Sequence, residues 1–92
     1  MSDTGSAESI DVDGYWVLES IAGGHLSDTS RGTVRVTRGL LDVEPLTPVI
    51  LSTKDGSNGP FLLTFMRDDG TRILSLWQSG VASIVIKPPP AG

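Results

Sequence analysis

His25 is the single histidine of the 92-residue chain, and Ser27, Asp28 and Ser30 follow it closely. A histidine, a hydroxyl and a carboxylate are the parts of a nucleophilic site. Such a site also needs a base held by a third group and a nucleophile within hydrogen-bond reach. Neighbours within one loop do not assemble that geometry by spacing, and no G-x-S-x-G elbow occurs in the chain. His25 is therefore read as a surface loop histidine, and no catalytic residue is assigned. Ser9, Asp11 and Asp13, ahead of Gly14, carry the alternating acidic spacing of part of a calcium loop. Aligned to an EF-hand, Ser9 and Ser20 fall at the first and last ligand positions, where carboxylates are required, and no helical pattern flanks them. Asp55-Gly56-Ser57-Asn58-Gly59 and Asp68-Asp69-Gly70 read as turns that would ligate a hard cation only with help from elsewhere. No metal ligand and no cofactor is assigned.

Charge excludes further classes. Four of the eleven acidic residues, Asp3, Glu8, Asp11 and Asp13, precede Gly14, and the remaining seven are balanced by seven basic residues. The net charge of −4 thus belongs to the N-terminal segment, and the body is neutral. Arg31, Arg35 and Arg38 form the densest basic cluster, with Arg35 pointing outward from a strand, open to an acidic partner or a neighbouring copy's acidic arm. No basic stripe exists to neutralise phosphates, so nucleic acid is not an expected partner. The chain has no cysteine, so neither disulfides nor thiolate chemistry enter. The N-terminal stretch lacks the basic and apolar regions of a secretory signal, and no run reaches the length of a membrane span. No membrane partner is expected, and the default location is cytoplasmic or virion-associated.

These residues must be positioned by β-strands. The chain is organised around Pro60–Lys87, which reads as a three-stranded meander. Asp69-Gly70 predicts a two-residue type I′ turn. That turn sets Met66 against Ile73, Phe65 against Leu74, Leu63 against Leu76 and Leu62 against Trp77; a three-residue loop would waste these apolar pairs. Ser79-Gly80 predicts a second turn, with Trp77 against Ala82 and Ile73 against Ile86. Upstream, strands are expected at Tyr15–Ser20, Thr33–Thr37, Leu40–Glu44 and Val49–Thr53, with Pro45 and Pro48 marking an edge or corner. The whole reads as an all-β, small single-domain antiparallel sandwich or barrel of about six to seven short strands. Residues 1–13 are expected to be a disordered acidic arm, residues 14–87 the β domain, and residues 88–92 an extended Pro-rich tail. Gly14-Tyr15-Trp16 resembles the short G-x-W signature at the first strand of lipocalin-like barrels. That likeness covers three residues, and the chain is short for an eight-stranded ligand barrel.

Neither face of the expected meander is polar, whereas a half-exposed antiparallel sheet alternates apolar and polar residues. Cover is therefore expected either partly from a second subunit or from the N-terminal half wrapping one face, with a handful of apolar residues left exposed. The candidate interface residues are Leu62, Met66, Ile73, Trp77, Ile84, Ile86 and Trp16. Three functional classes follow in order of support. The first is a non-catalytic structural, assembly or protein-interaction subunit, an accessory or virion-type component with a protein partner or a homo-oligomeric state. The second is a small barrel binding an apolar molecule between Trp16 and Trp77. The third is an enzyme with its site between subunits, ranked last because the chain offers no nucleophile–base constellation.

Overall fold

A computed structural model of the chain describes residues 8–22, 24, 26–37 and 42–88. The described residues contain seven strands and no helix: β1 (Ser9–Ser20), β2 (Ser30–Thr37), β3 (Asp42–Pro45), β4 (Val49–Ser52), β5 (Phe61–Arg67), β6 (Arg72–Gln78) and β7 (Ser83–Ile86). Five form an antiparallel sheet in the order β3-β2-β1-β5-β6, and β4 and β7 form a separate two-stranded ribbon. The sheet curls into a half-barrel, and Leu51 and Ile86 of the ribbon share one core with Trp16, Leu18 and Phe65 of the sheet. The all-β class and the number of strands are those expected from the sequence.

The curl has a local cause. Gly14 on β1 lies directly opposite Gly32 on β2. Paired glycines let the two strands bend sharply, and any side chain at Gly14 would strike the neighbouring β5 strand: an ideal Cβ would sit 2.1 Å from the Met66 carbonyl oxygen and 2.9 Å from the Phe65 ring. Two residues on, Trp16 packs against Phe65 with ring centroids 4.9 Å apart at 60°. That tilted arrangement contributes about 0.5–1.5 kcal/mol beyond simple burial. Around this pair the core gathers Leu18, Val34, Leu51, Phe61, Leu63 and Ile86.

Three expectations are corrected. First, residues 9–13 are strand rather than arm: Ser9–Asp13 pairs with Thr37–Thr33. Asp13 accepts a hydrogen bond from the Thr33 hydroxyl at 2.8 Å, and Asp11 meets the Arg35 Nε at 3.2 Å. The acidic residues thus complement the basic and hydroxyl side chains of the facing strand. Residues 1–7 of the expected arm lie outside the described residues.

Second, the 67–71 hairpin closes with a three-residue loop. Gly70 N–H donates to the Arg67 carbonyl, Arg67 N–H donates to the Thr71 carbonyl, and Gly70 has φ +90°. The apolar pairs nevertheless form, with Phe65 opposite Leu74, Leu63 opposite Leu76 and Leu62 opposite Trp77. A bulge between these registers reconciles the two: Met66 faces Arg72, so Ile73 is the extra residue on β6. The expected pairs Met66–Ile73 and Arg67–Arg72 are not made.

Third, the strand after Ser79-Gly80 does not fold back on β6. Gly80 N–H donates to the Asn58 carbonyl, and the Ala82 carbonyl accepts from Thr53 N–H, drawing the chain to β4. There β7 pairs Ile86 with Val49 and Ile84 with Leu51. This buries Ile86 and Leu51 over the core, which pairing with β6 would not do. The expected contacts of Trp77 with Ala82 and of Ile73 with Ile86 are therefore absent.

The described part of the expected Leu40–Glu44 strand is β3, Asp42–Pro45; residues 40–41 lie outside the described residues.

Candidate functional site: the open edge of the half-barrel

A half-barrel has two free edges, and the chain treats them differently. At one end of the sheet β3 is four residues long and ends in Pro45, which lacks the N–H a further strand would need. At the other end β6 is seven residues long, with no proline and no charge after Arg72: Ile73, Leu74, Ser75, Leu76, Trp77 and Gln78. Among the described residues β6 is hydrogen-bonded only to β5, so one row of its backbone groups is unpaired within the sheet. Short strands, prolines and charges are the usual guards of an edge. β6 lacks all three along most of its length.

The side chains of β6 are also uncovered. Leu76, opposite buried Leu63 on the concave side, is 48% exposed. Trp77, opposite Leu62 on the convex side, is 65% exposed. The contrast with β5 is sharp: Phe61, Leu63 and Phe65 on one face and Thr64 and Met66 on the other are all buried. The sheet is sealed on both faces through β5 and opens at β6.

The N-terminal end of β6 is anchored by charge. The Arg72 Nη2 reaches both carboxylate oxygens of Glu19, at 3.0 and 2.9 Å, spanning β5 from β6 to β1. Between them, Thr64 donates its hydroxyl to the same carboxylate at 3.1 Å. Glu19 is buried, and a carboxylate is tolerated there because it accepts several hydrogen bonds, one set of them charge-assisted. The network holds β6 against β5 on the side away from its free edge. Beside it, Arg31 and Asp68 form a two-point ion pair at 2.9 and 3.2 Å on the surface. Hydrogen bonding to Asp68 raises the Arg31 guanidinium above its ordinary value, and the same bond lowers the Asp68 carboxyl.

The expected interface residues divide. Trp77 is exposed and Leu62, opposite it, is partly buried, so these remain at the edge, whereas Ile73, the bulged residue, is partly buried against the core. Trp16 (2%), Met66 (7%) and Ile86 (7%) belong to the interior. They were expected at an interface because neither face of the expected meander is polar; Trp16 and Ile86 instead pack in the core with Leu51 and Phe65, and Met66 takes a contact from the Tyr15 hydroxyl. Ile84 is partly buried against the core. Sequence reasoning placed Leu76 on a covered face and so missed it. No local signal marks it, because its exposure follows from β7 pairing with β4 and not with β6. A second exposed pair, Ile50 (67%) and Val85 (55%), lies face to face on the outside of the ribbon.

The other candidates do not converge. Asp55 and Asp69 each cap their own turn, accepting from Ser57 N–H and Thr71 N–H at 2.9 Å. Asp11 and Asp13 are engaged along β1. No group of three or more His, Cys, Asp or Glu that could hold a metal occurs among the described residues. His25 and Arg38 lie outside the described residues. Arg35 turns to Asp11 of its own chain. Among the described residues no helix is long and apolar enough to cross a membrane. No family model, curated protein or solved structure matches the chain.

Proposed function

We propose that this chain is a non-catalytic assembly or protein-interaction subunit that engages a protein partner by adding a strand to β6. One observation carries the reading: a seven-residue, nearly uncharged edge strand leaves Leu76 open on one face and Trp77 on the other. An added strand satisfies the free backbone row and covers both side chains in one step, which a ligand bound to a single face does not do. The neutral body supports the reading, since little net repulsion opposes association. Trp16, which the small-molecule reading needs at the wall of an open pocket, is packed against Phe65 in the core.

The test is Leu76→Lys. A charge on an edge strand blocks strand addition while costing the fold little at an exposed position. The native mass of the wild-type protein, measured by sedimentation, is expected to exceed 9.7 kDa and to fall to that value in the variant, with unchanged far-UV circular dichroism. A wild-type protein that sediments alone at micromolar concentration, or an association that Leu76→Lys leaves intact, refutes the proposal.

A further inference from the structure

We infer that Asn58 is a site of covalent self-modification: the Gly59 amide nitrogen attacks the Asn58 side-chain amide, and the product releases the tether between Asn58 and Gly80. Asn58 is the only asparagine of the chain, and a glycine follows it. Its side chain is exposed and makes no hydrogen bond among the described residues. Gly59 has φ +91°, a conformation that strains any residue with a side chain, and an added Cβ would meet the Gln78 carbonyl oxygen at 3.1 Å. The fold thus holds a glycine after Asn58, and a glycine sets no side chain in the way of its own nitrogen. The Gly59 N–H belongs to no strand ladder and donates to the Ser57 hydroxyl at 3.3 Å. Asp55-Gly56 and Asp69-Gly70 share the spacing but not the reactivity. Each carboxylate accepts from the N–H two residues on, Ser57 and Thr71, at 2.9 Å. A carboxylate held in that way is a poor electrophile, whereas the neutral amide of Asn58 can lose ammonia.

Water is the only co-reactant the step needs. The Gly59 nitrogen forms a bond to Asn58 Cγ and gives up its proton. The Cγ–Nδ2 bond breaks, and Nδ2 leaves as ammonia with that proton. Ring closure between adjacent residues needs no encounter, which makes so weak a nucleophile competent. Water then opens the cyclic imide. Opening at Cγ leaves an ordinary aspartate. Opening at the main-chain carbonyl carbon leaves a β-linked aspartate: the chain runs through Cβ and Cγ, one methylene longer, and the former main-chain carbonyl becomes a free carboxylate. That carbonyl is the one that accepts from Gly80 N–H at 2.8 Å. The bond fastens the 79–82 connection, which carries the chain from β6 to β7, to the loop ahead of β5. There is no slack for a longer chain here, since the ideal Cβ position of Gly59 is also 3.1 Å from the Phe61 ring. The β-linked product therefore frees Gly80 beside the open end of β6. The ordinary aspartate keeps the main chain and the tether and adds one negative charge to the net −4.

The full chain is aged at mildly alkaline pH beside Asn58→Gln, whose longer side chain closes a larger ring more slowly. The substitution falls on an exposed side chain and leaves the fold intact. Trypsin places Asn58 in the peptide Asp55–Arg67 and Gln78, the only other side-chain amide, in a different one. Mass spectrometry is expected to show most of the wild-type Asn58 amide converted to acid, part of it β-linked, while Asn58→Gln retains its amide over the same time. After chromatographic separation, the β-linked fraction is expected to lose hydrogen-exchange protection at the Gly80 amide, and the ordinary aspartate fraction to keep it. An aged wild type that keeps its Asn58 amide as long as Asn58→Gln keeps its own overturns the site. Conversion to ordinary aspartate alone, or a β-linked fraction whose Gly80 amide stays protected, overturns the release of the tether.

Discussion

The tightest constraint in the fold is at Gly14, and replacing it with alanine tests the register of three strands at once. The methyl carbon would lie 2.1 Å from the Met66 carbonyl oxygen, where contacts under 3.0 Å are not tolerated. The β1 and β5 backbones would have to part by about 0.9 Å at a point where Gly14 faces Arg67 and Tyr15 faces Met66. A rigid backbone atom cannot swing aside as a side chain can. Overpacking of this kind costs roughly 1–3 kcal/mol or more, and weakening one or two adjacent ladder hydrogen bonds adds about 1 kcal/mol each. Against that, alanine restricts the unfolded chain and returns about 0.4–1 kcal/mol. The net expectation is a loss of about 3 kcal/mol, a large part of the stability of roughly 5–15 kcal/mol typical of a domain. At 92 residues this corresponds to a fall of about 12–24 °C in Tm. Gly32 is the internal control. Its added methyl would meet the Thr47 hydroxyl at 2.8 Å and the Trp16 indole at 3.1 Å, both side-chain atoms, one of them on a short rotatable group. Gly32→Ala is expected to cost about half as much. Urea melts followed by circular dichroism compare the two variants. Equal midpoints for Gly14→Ala and the wild type, or a larger loss for Gly32→Ala, would refute the strand register at Gly14.

Other outcomes follow from the same contacts. Arg72→Met leaves the buried Glu19 carboxylate without its guanidinium, and a urea melt is expected to show a loss of about 1–3 kcal/mol. Arg31→Met breaks an ion pair exposed at both ends and is expected to leave the midpoint unchanged within error, as surface pairs commonly do. Asp68 and Asp69 titrate below the ordinary value of 3.8, chiefly through hydrogen bonds from Arg31 and Thr71 respectively. Lowered folded values mean that their contribution is present above 3.8 and is lost as pH falls through the lowered values, so Asp68→Asn and Asp69→Asn should lower the neutral plateau of a stability–pH curve slightly, flatten its acid limb, and leave stability below the lowered values unchanged. Acrylamide should quench Trp77 and spare Trp16, and Trp77→Phe should remove nearly all of the quenchable emission under conditions where the chain is monomeric.

Much of the fold was legible because local chemistry and tertiary need agreed. Alternating Thr33–Thr37 gave β2, with Val34 buried and Arg35 exposed. The apolar pairs of β5 with β6 were legible from residue type alone, even though the loop length was not. One extra residue in the turn was offset by one extra residue in the bulge at Ile73, and periodicity cannot reveal two compensating shifts. The acidic start of β1 was hidden because Asp is a poor strand former by composition. Its place was decided by Thr33 and Arg35, 20 and 24 residues away from their partners on β1. The departure of β7 from β6 was hidden for a similar reason. Ser79-Gly80 carries an ordinary hairpin signal, and what overrides it is the burial of Ile86 over the core and the bond from Thr53 to Ala82, both long-range. The candidate edge was thus half legible: Trp77 by type, Leu76 only once the neighbouring strand was known to be elsewhere.

The same departure ties the sealing of the core to the opening of the β6 edge. A chain of seven strands could have closed β7 on β6 and removed that edge, as a full barrel removes all of them. Doing so would have taken Ile84 and Ile86 off the concave face and left Leu51 and Phe61 under an open mouth, at about 1.5–3 kcal/mol for each large side chain uncovered. The chain instead spends its last strand as a lid with β4. The cost of that choice is an unguarded β6, with one leucine and one tryptophan in water. The acidic residues at the start of β1 are engaged within the chain, Asp11 with Arg35 and Asp13 with Thr33. Sealing the core and exposing the edge are therefore one structural decision. If rejoining β7 to β6, for example by shortening the 79–82 connection, gave a protein with a looser core that no longer associates, the two would be shown to be exchanged for each other.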